Sequence, residues 1–131
     1  MVIDTSVLVA VLFGEPEAVR FAEAIAADSV RLISTASVLE ASLVVESELG
    51  EAGGRELDLL LLKAAIETVP FNAEQLAIAR DAWQRYGKGR HPAGLNYGDC
   101  SSYALSQATG EALLFKGGDF SQTDVAVCGA A

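Results

Sequence analysis

The sequence predicts a three-layer α/β/α sandwich built on a mostly parallel central sheet of four to five strands, in one domain covering residues 1–131. Three observations carry that expectation. Short apolar runs alternate with longer amphipathic stretches, which is the pattern of βαβ units. The breaks between them are short and carry glycine, proline or asparagine. A chain of 131 residues that is 51% hydrophobic can fill one core, and it shows no repeat, low-complexity segment or linker.

The elements follow in order. Met1–Asp4 reads as a buried strand and hands over to a short helix from Ser6, which Gly14-Glu15-Pro16 breaks. Pro16 suits the first turn of the next helix, expected to run to Ala27 with Val19, Phe21, Ala22 and Ile25 as its apolar residues. Val30–Ile33 is a second strand. Ser34 and Thr35 supply cap chemistry for a helix over Ala36–Leu49. Gly50, Gly53 and Gly54 mark the turn of a helical hairpin whose second arm runs over Arg55–Glu67. Its Leu59–Leu62 run is apolar all round, as in a buried helix or a protein interface.

Thr68–Phe71 is a third strand, and Asn72 caps a helix over Ala73–Tyr86, with Trp83 expected on its core side. Gly87–Gly94 is a polar, glycine-rich loop. A helix over Asp99–Ala108 stops at Gly110. Ala112–Phe115 is the fourth strand, Lys116–Phe120 a turn, and Val125–Val127 a possible fifth strand at the sheet edge.

The bulk chemistry excludes several classes. No apolar run reaches the ~20 residues of a membrane span, and the N-terminus has no basic region followed by an apolar stretch and a cleavage site. Cys100 and Cys128 form no metal-spaced pair, so reduced thiols in the cytoplasm are expected. A net charge of −9 argues against a large sequence-independent nucleic-acid surface. Yet five of the nine basic residues (Arg80, Arg85, Lys88, Arg90, Lys116) and the single histidine, His91, fall in one stretch.

Four acids stand at places where α/β folds build sites. Asp4 and Asp119 each follow a strand; Glu40 and Asp99 fall in the first part of helices. Each has an ordinary alternative: Asp4 and Asp99 as helix caps, Asp119 as a turn residue after two glycines. Glu40 is harder to dismiss. Its helical face-mates Ala36, Ser37, Leu43, Val44 and Ser47 are small or apolar, which predicts an inward face, and no Lys or Arg lies within a turn. Two carboxylates ~5 Å apart repel by about 3 kcal/mol at an effective dielectric of ~20. Four of them gathered at one sheet edge would need protons or a divalent cation, and an all-oxygen donor set suits Mg²⁺ or Mn²⁺.

The ordered set Ile3-Asp4-Thr5-Ser6, Glu40, Asn96-Tyr97-Gly98-Asp99-Cys100 and Leu114-Phe115-Lys116-Gly117-Gly118-Asp119-Phe120 resembles PIN-domain ribonucleases, and within them the VapC toxins of bacterial toxin–antitoxin pairs. The resemblance covers the whole chain. It implies a PIN-like fold and metal-dependent endoribonuclease activity on RNA. Asp4, Glu40, Asp99 and Asp119 map onto the family's acidic quartet, with Asp4 and Asp99 as the direct ligands of Mg²⁺ or Mn²⁺ and Thr5 or Ser6 as the supporting hydroxyl. Asp124 lies beyond the matching acid and supports the site or the fold. The resemblance also implies a VapB-type antitoxin and a homodimer, for which the Leu57–Leu62 helix and the first helices offer surfaces. Lys88, Arg90, His91 and Lys116 could hold flanking substrate phosphates, with a solvated loop and a surface role for His91 as the alternatives, and Tyr86 and Tyr97 could stack on unpaired bases, although aromatic residues at helix ends are more often packing. Competing readings are a housekeeping RNA-processing PIN nuclease and a PIN-fold binding module without catalysis. A phosphoacceptor domain of the receiver type is disfavoured, because Val69-Pro70-Phe71-Asn72 ends the third strand without an acid.

Overall fold

A computed structural model describes residues 1–128. Four strands form one sheet in the order β3-β2-β1-β4: β1 is Val2–Ile3, β2 Leu32–Ser34, β3 Glu67–Val69 and β4 Leu113–Leu114. Every pairing is parallel, with Val2 opposite both Leu32 and Leu113, and Ile33 opposite Thr68. The helices are α1 (Thr5–Leu12), α2 (Ala18–Ala27), α3 (Thr35–Lys63), α4 (Ala73–Tyr86) and α5 (Tyr97–Thr109), followed by a 3₁₀ turn at Phe120–Gln122. None of the described helices is long and apolar enough to cross a membrane.

The strands are short but buried on both faces, and their side chains alternate between two cores. Met1, Ile3, Ile33 and Leu114 join Val7, Leu8, Phe21, Ile25, Ala41, Val45 and Leu57 on the face covered by α1, α2 and α3. Val2 and Leu113 join Ala79, Ala82, Tyr103, Ala104, Leu105, Phe120 and Val125 on the face covered by α4 and α5. Helices on both faces of a parallel sheet make the three layers, and β1 at the centre delivers Asp4 to the sheet's carboxyl edge.

Gly50 is the corner of the helical hairpin. It leaves helical geometry at φ 66° and ψ −161°, and the two arms fold back on each other. At Gly53 a Cβ would lie 2.8 Å from the Val45 carbonyl oxygen, so the close approach of the arms excludes any side chain there. The second arm ends at Lys63 rather than Glu67. Ala65 turns the chain out with φ 52°, and the strand begins two residues later.

Three further expectations change. The fifth strand reduces to a single parallel bridge between Val127 and Leu113. Trp83 is 41% exposed, because the buried stripe of α4 runs through Gln75, Ala79 and Ala82. Only the start of the Glu40 face of α3 is inward: Ser37 is buried and Glu40 half-buried, but Leu43 is 62% exposed, and the core is met further along by Ala41 and Val45. Within the leucine run only part is covered; Leu60 and Leu61 pack on the core while Leu59 and Leu62 stay exposed.

Candidate active site

Asp4 combines two duties at the end of β1. Its amide donates to the Leu114 carbonyl at 3.0 Å, extending the β1–β4 ladder, and its side chain caps α1 by accepting from the Ser6 amide at 3.1 Å. Ser6 Oγ donates to the same oxygen at 2.7 Å. The other oxygen, Oδ1, accepts from Ser102 Oγ at 2.5 Å. The carboxylate is buried at 5% exposure, and all of these donors are neutral.

A chain of hydroxyls fixes this arrangement. Ser102 Oγ lies 3.3 Å from Ser37 Oγ, and Thr5 Oγ1 donates to the Ser37 carbonyl at 3.1 Å, which ties α1 to α3 behind Asp4. The Lys116 amide donates to Ser6 Oγ at 3.0 Å, which ties in the segment after β4. Ser37 and Ser102 are site residues that sequence reasoning missed. The available signal was spacing: Ser102 lies three residues after Asp99 and Ser37 three before Glu40, so each shares a helix face with an acid.

Asp99 sits in the first turn of α5 in a reciprocal capping box. Its amide donates to Asn96 Oδ1 at 2.9 Å, and its carboxylate accepts from the Asn96 amide at 3.1 Å. Burial is the main force pushing its carboxyl up to about 6; the Asn96 amide opposes this, and the charges of Asp4, Asp119 and Glu40 add to it. The other three acids thus all lie within electrostatic reach of Asp99. The Glu40 carboxylate rests directly on Gly98, where an added Cβ would lie 2.6 Å from its carboxyl carbon. Asp119 is exposed and precedes the 3₁₀ turn without capping it through its side chain. Among the described residues, no three His, Cys, Asp or Glu side chains converge tightly enough to surround one ion. The quartet is a loose acidic cluster rather than a closed cage.

The basic residues are distributed differently. The Lys116 ammonium pairs with Glu15 at 2.6 Å and Glu17 at 3.0 Å, which joins the segment after β4 to the α1–α2 connection. Arg90 lies over the Trp83 ring, 4.2 Å from its centroid. His91 accepts the Ala93 amide through Nδ1 at 3.0 Å and meets Tyr86 edge-on, with ring centroids 5.1 Å apart. Lys88 is exposed. Tyr97, at 87% exposure, stands beside Gly98 and Asp99 on the rim of a groove of about 440 Å³ lined by Ala36, Phe71, Leu76, Trp83 and Cys100, with Arg80 as its charged member. The Cys100 thiol is pushed up to about 11, chiefly by burial and then by Asp99, so it stays protonated and inert.

A PIN-domain profile matches residues 1–126. Ribonuclease VapC30 of Mycobacterium tuberculosis is 60% identical over 126 residues, covering 96% of each chain. The crystal structure of VapC20 from the same organism, a sarcin–ricin-loop-cleaving toxin, superposes with a TM-score of 0.77 over 95% of both chains at 17% identity. The chain in VapBC2 of Rickettsia felis, crystallised bound to a promoter DNA fragment, gives a TM-score of 0.75 at 16% identity, over 96% of this chain and 94% of that one. With that profile spanning nearly the whole chain and that identity over 126 residues, this chain belongs to the PIN-domain family, within its VapC group.

Proposed function

We propose that the chain is an endoribonuclease that hydrolyses RNA phosphodiester bonds with the help of Mg²⁺ or Mn²⁺, and that it acts in the cytoplasm as the toxin of a toxin–antitoxin pair. The observation that carries this is the Asp4 carboxylate, buried with only neutral partners, within charge range of half-buried Asp99, whose carboxyl burial and the neighbouring acids push up to about 6. Such a cluster stabilises positive charge. Its donors are all oxygens, and Mg²⁺ takes only one or two protein carboxylates and fills its remaining positions with water and phosphate oxygens. An open pair therefore fits it better than a closed cage would. Asp4 and Asp99 would hold the ion.

When bound, a divalent cation balances the carboxylates and polarises a phosphate oxygen. The protein's own residues do the rest. Ser6 and Ser102 hold both oxygens of Asp4 in one orientation. Glu40 or Asp119 would orient an attacking water and take its proton, or help hold a second ion. Lys88, Arg90 and His91 lie on the loop after α4 and serve flanking phosphates, while Lys116 reaches phosphate only by leaving Glu15 and Glu17. Exposed Tyr97 offers a ring on which an unpaired base stacks. The names of the relatives, VapC ribonucleases and a VapBC complex, support an RNA substrate and a VapB-type antitoxin, and a homodimer is the assembly proposed with them.

Cleavage of total cellular RNA by the purified chain, with Mg²⁺ or with chelator, tests the reading. Metal-dependent fragments that vanish in Asp4→Asn are expected; full activity in that variant would sink the assignment.

A further inference from the structure

Asp119 accepts no side-chain hydrogen bond among the described residues, so its position depends on the anchors of its own segment. Upstream the anchor is β4 and the Lys116 amide on Ser6 Oγ, 3.0 Å apart. Downstream, Phe120 is buried against Phe115, with ring centroids 5.0 Å apart. Asp124 then makes two bonds. The Tyr103 hydroxyl donates to its Oδ1 at 2.5 Å, and Arg85 donates to its Oδ2 at 3.1 Å.

The placement of Tyr103 gives the first of these bonds its meaning. Tyr103 lies four residues after Asp99, one turn further along the same face of α5. Asp124 lies five residues after Asp119. The bond therefore spans the two segments that carry two of the four acids. It is not needed to attach the end of the described chain, which the Leu113 amide on Ala126 at 2.8 Å and the Cys128 amide on Leu113 at 2.9 Å already hold. The bond is also a strong one: the Tyr103 hydroxyl is the main influence holding the Asp124 carboxyl below the usual range, with Arg85 assisting against burial.

We propose that the Tyr103–Asp124 hydrogen bond sets the separation of Asp99 and Asp119, so that Tyr103 and Asp124 are positioning residues for the acidic site. This rests on the reading of that site as a divalent-cation centre. Arg85, exposed and shared with Asp81 and the Tyr86 hydroxyl, braces Asp124 without bridging the two segments.

The test is calorimetric titration of the RNA-free full chain with Mn²⁺, in wild type, Tyr103→Phe, Asp119→Asn and the double variant. Tyr103→Phe keeps the buried ring and removes only the donor. It is expected to weaken Mn²⁺ binding about threefold to tenfold, at or below the low end for residues that orient ligands. That loss is expected to disappear in the Asp119→Asn background, because Tyr103 then has nothing to position. Unchanged Mn²⁺ binding in Tyr103→Phe overturns the inference, and so does an equal loss in both backgrounds. Should Tyr103→Phe fail to fold, Asp124→Ala at the exposed end of the bond takes its place in the same cycle. An Asp119→Asn chain that binds Mn²⁺ like wild type overturns the inference alone, whereas unchanged Mn²⁺ binding in Asp99→Asn, titrated beside it, overturns the reading of the site on which the inference rests.

Discussion

Ser102 Oγ donates to Asp4 Oδ1 across 2.5 Å, joining the middle of α5 to the end of the central strand. Ser102 is fully buried, so its hydroxyl has no access to water and its bond to the carboxylate cannot be replaced by solvent. Ser102→Ala leaves one oxygen of a buried carboxylate without a donor, and it also removes the neighbour of Ser37 Oγ. The expected stability loss is about 1–3 kcal/mol, read as a lower urea midpoint. Because the orientation of Asp4 loosens as well, Mn²⁺ affinity and RNA cleavage should fall by roughly tenfold. Unchanged cleavage at limiting Mn²⁺ would show that Ser6 alone orients Asp4.

The contact between Glu40 and Gly98 separates activity from stability. A Cβ at Gly98 would collide with the Glu40 carboxylate, which is the mobile end of a half-buried side chain and can swing away. Gly98 lies inside the first turn of α5, where alanine is preferred over glycine by up to about 1 kcal/mol. Gly98→Ala should therefore be as stable as wild type or slightly more so, while cleavage falls at least tenfold as Glu40 leaves the cluster. A melting curve and a cleavage time course on the same preparation check both halves. A variant with full activity would remove Glu40 from the chemistry.

Much of this arrangement was legible in the sequence, and the limits have physical causes. Asp4, Asp99 and Asp119 are marked as candidates by local signals, a strand ending or a helix beginning, and the parallel topology brings such places to one edge. Glu40 was found by an incomplete argument. Helical spacing shows which residues share a face but not which face another element covers, and here Leu43 stays exposed while Ala41 and Val45 meet the core. Trp83 failed for the same reason. The pairing of Lys116 with Glu15 and Glu17 joins residues about a hundred positions apart, and no local pattern encodes it. Ser37 and Ser102 carry no motif; only their spacing from an acid distinguishes them from any other helical serine.

The raised Asp99 carboxyl makes the metal-free protein sensitive to pH in a definite direction. Its folded value of about 6 lies above the ordinary 3.8, so the folded state binds the proton more tightly than the unfolded state does. Stability from this group is fully present below pH 3.8 and is lost as pH rises through about 6. The melting temperature of the chelated protein should rise as pH falls from 7 towards 4.5. Asp99→Asn should flatten that slope while keeping the capping bond from the Asn96 amide, and it should raise the melting temperature at pH 7 in chelator. Saturating Mn²⁺ should also flatten the wild-type slope, because the cation takes over the neutralising role. An identical slope in wild type and Asp99→Asn would assign the pH dependence to the general acidity of the chain.

Lys88 and Arg90 are proposed to hold RNA outside the acidic cluster. Neither forms an ion pair with an acid among the described residues, whereas Lys116 is held by two. Arg90 stacks on Trp83, which fixes its guanidinium on the surface at little further entropy cost. If each holds one phosphate of a single strand, removing both should lower the slope of log affinity against log salt by about 1.4 units. The Lys88→Ala, Arg90→Ala double variant should therefore bind a short single-stranded RNA more weakly at low salt and approach wild type as salt rises. Binding measured in Ca²⁺ across several salt concentrations separates this from a loss of chemistry. Direct titration with Mn²⁺ should be unchanged, because neither residue touches the carboxylates. A parallel drop at every salt concentration would point instead to lost packing of Arg90 on Trp83, and an unchanged slope would place the phosphate contacts elsewhere on the chain.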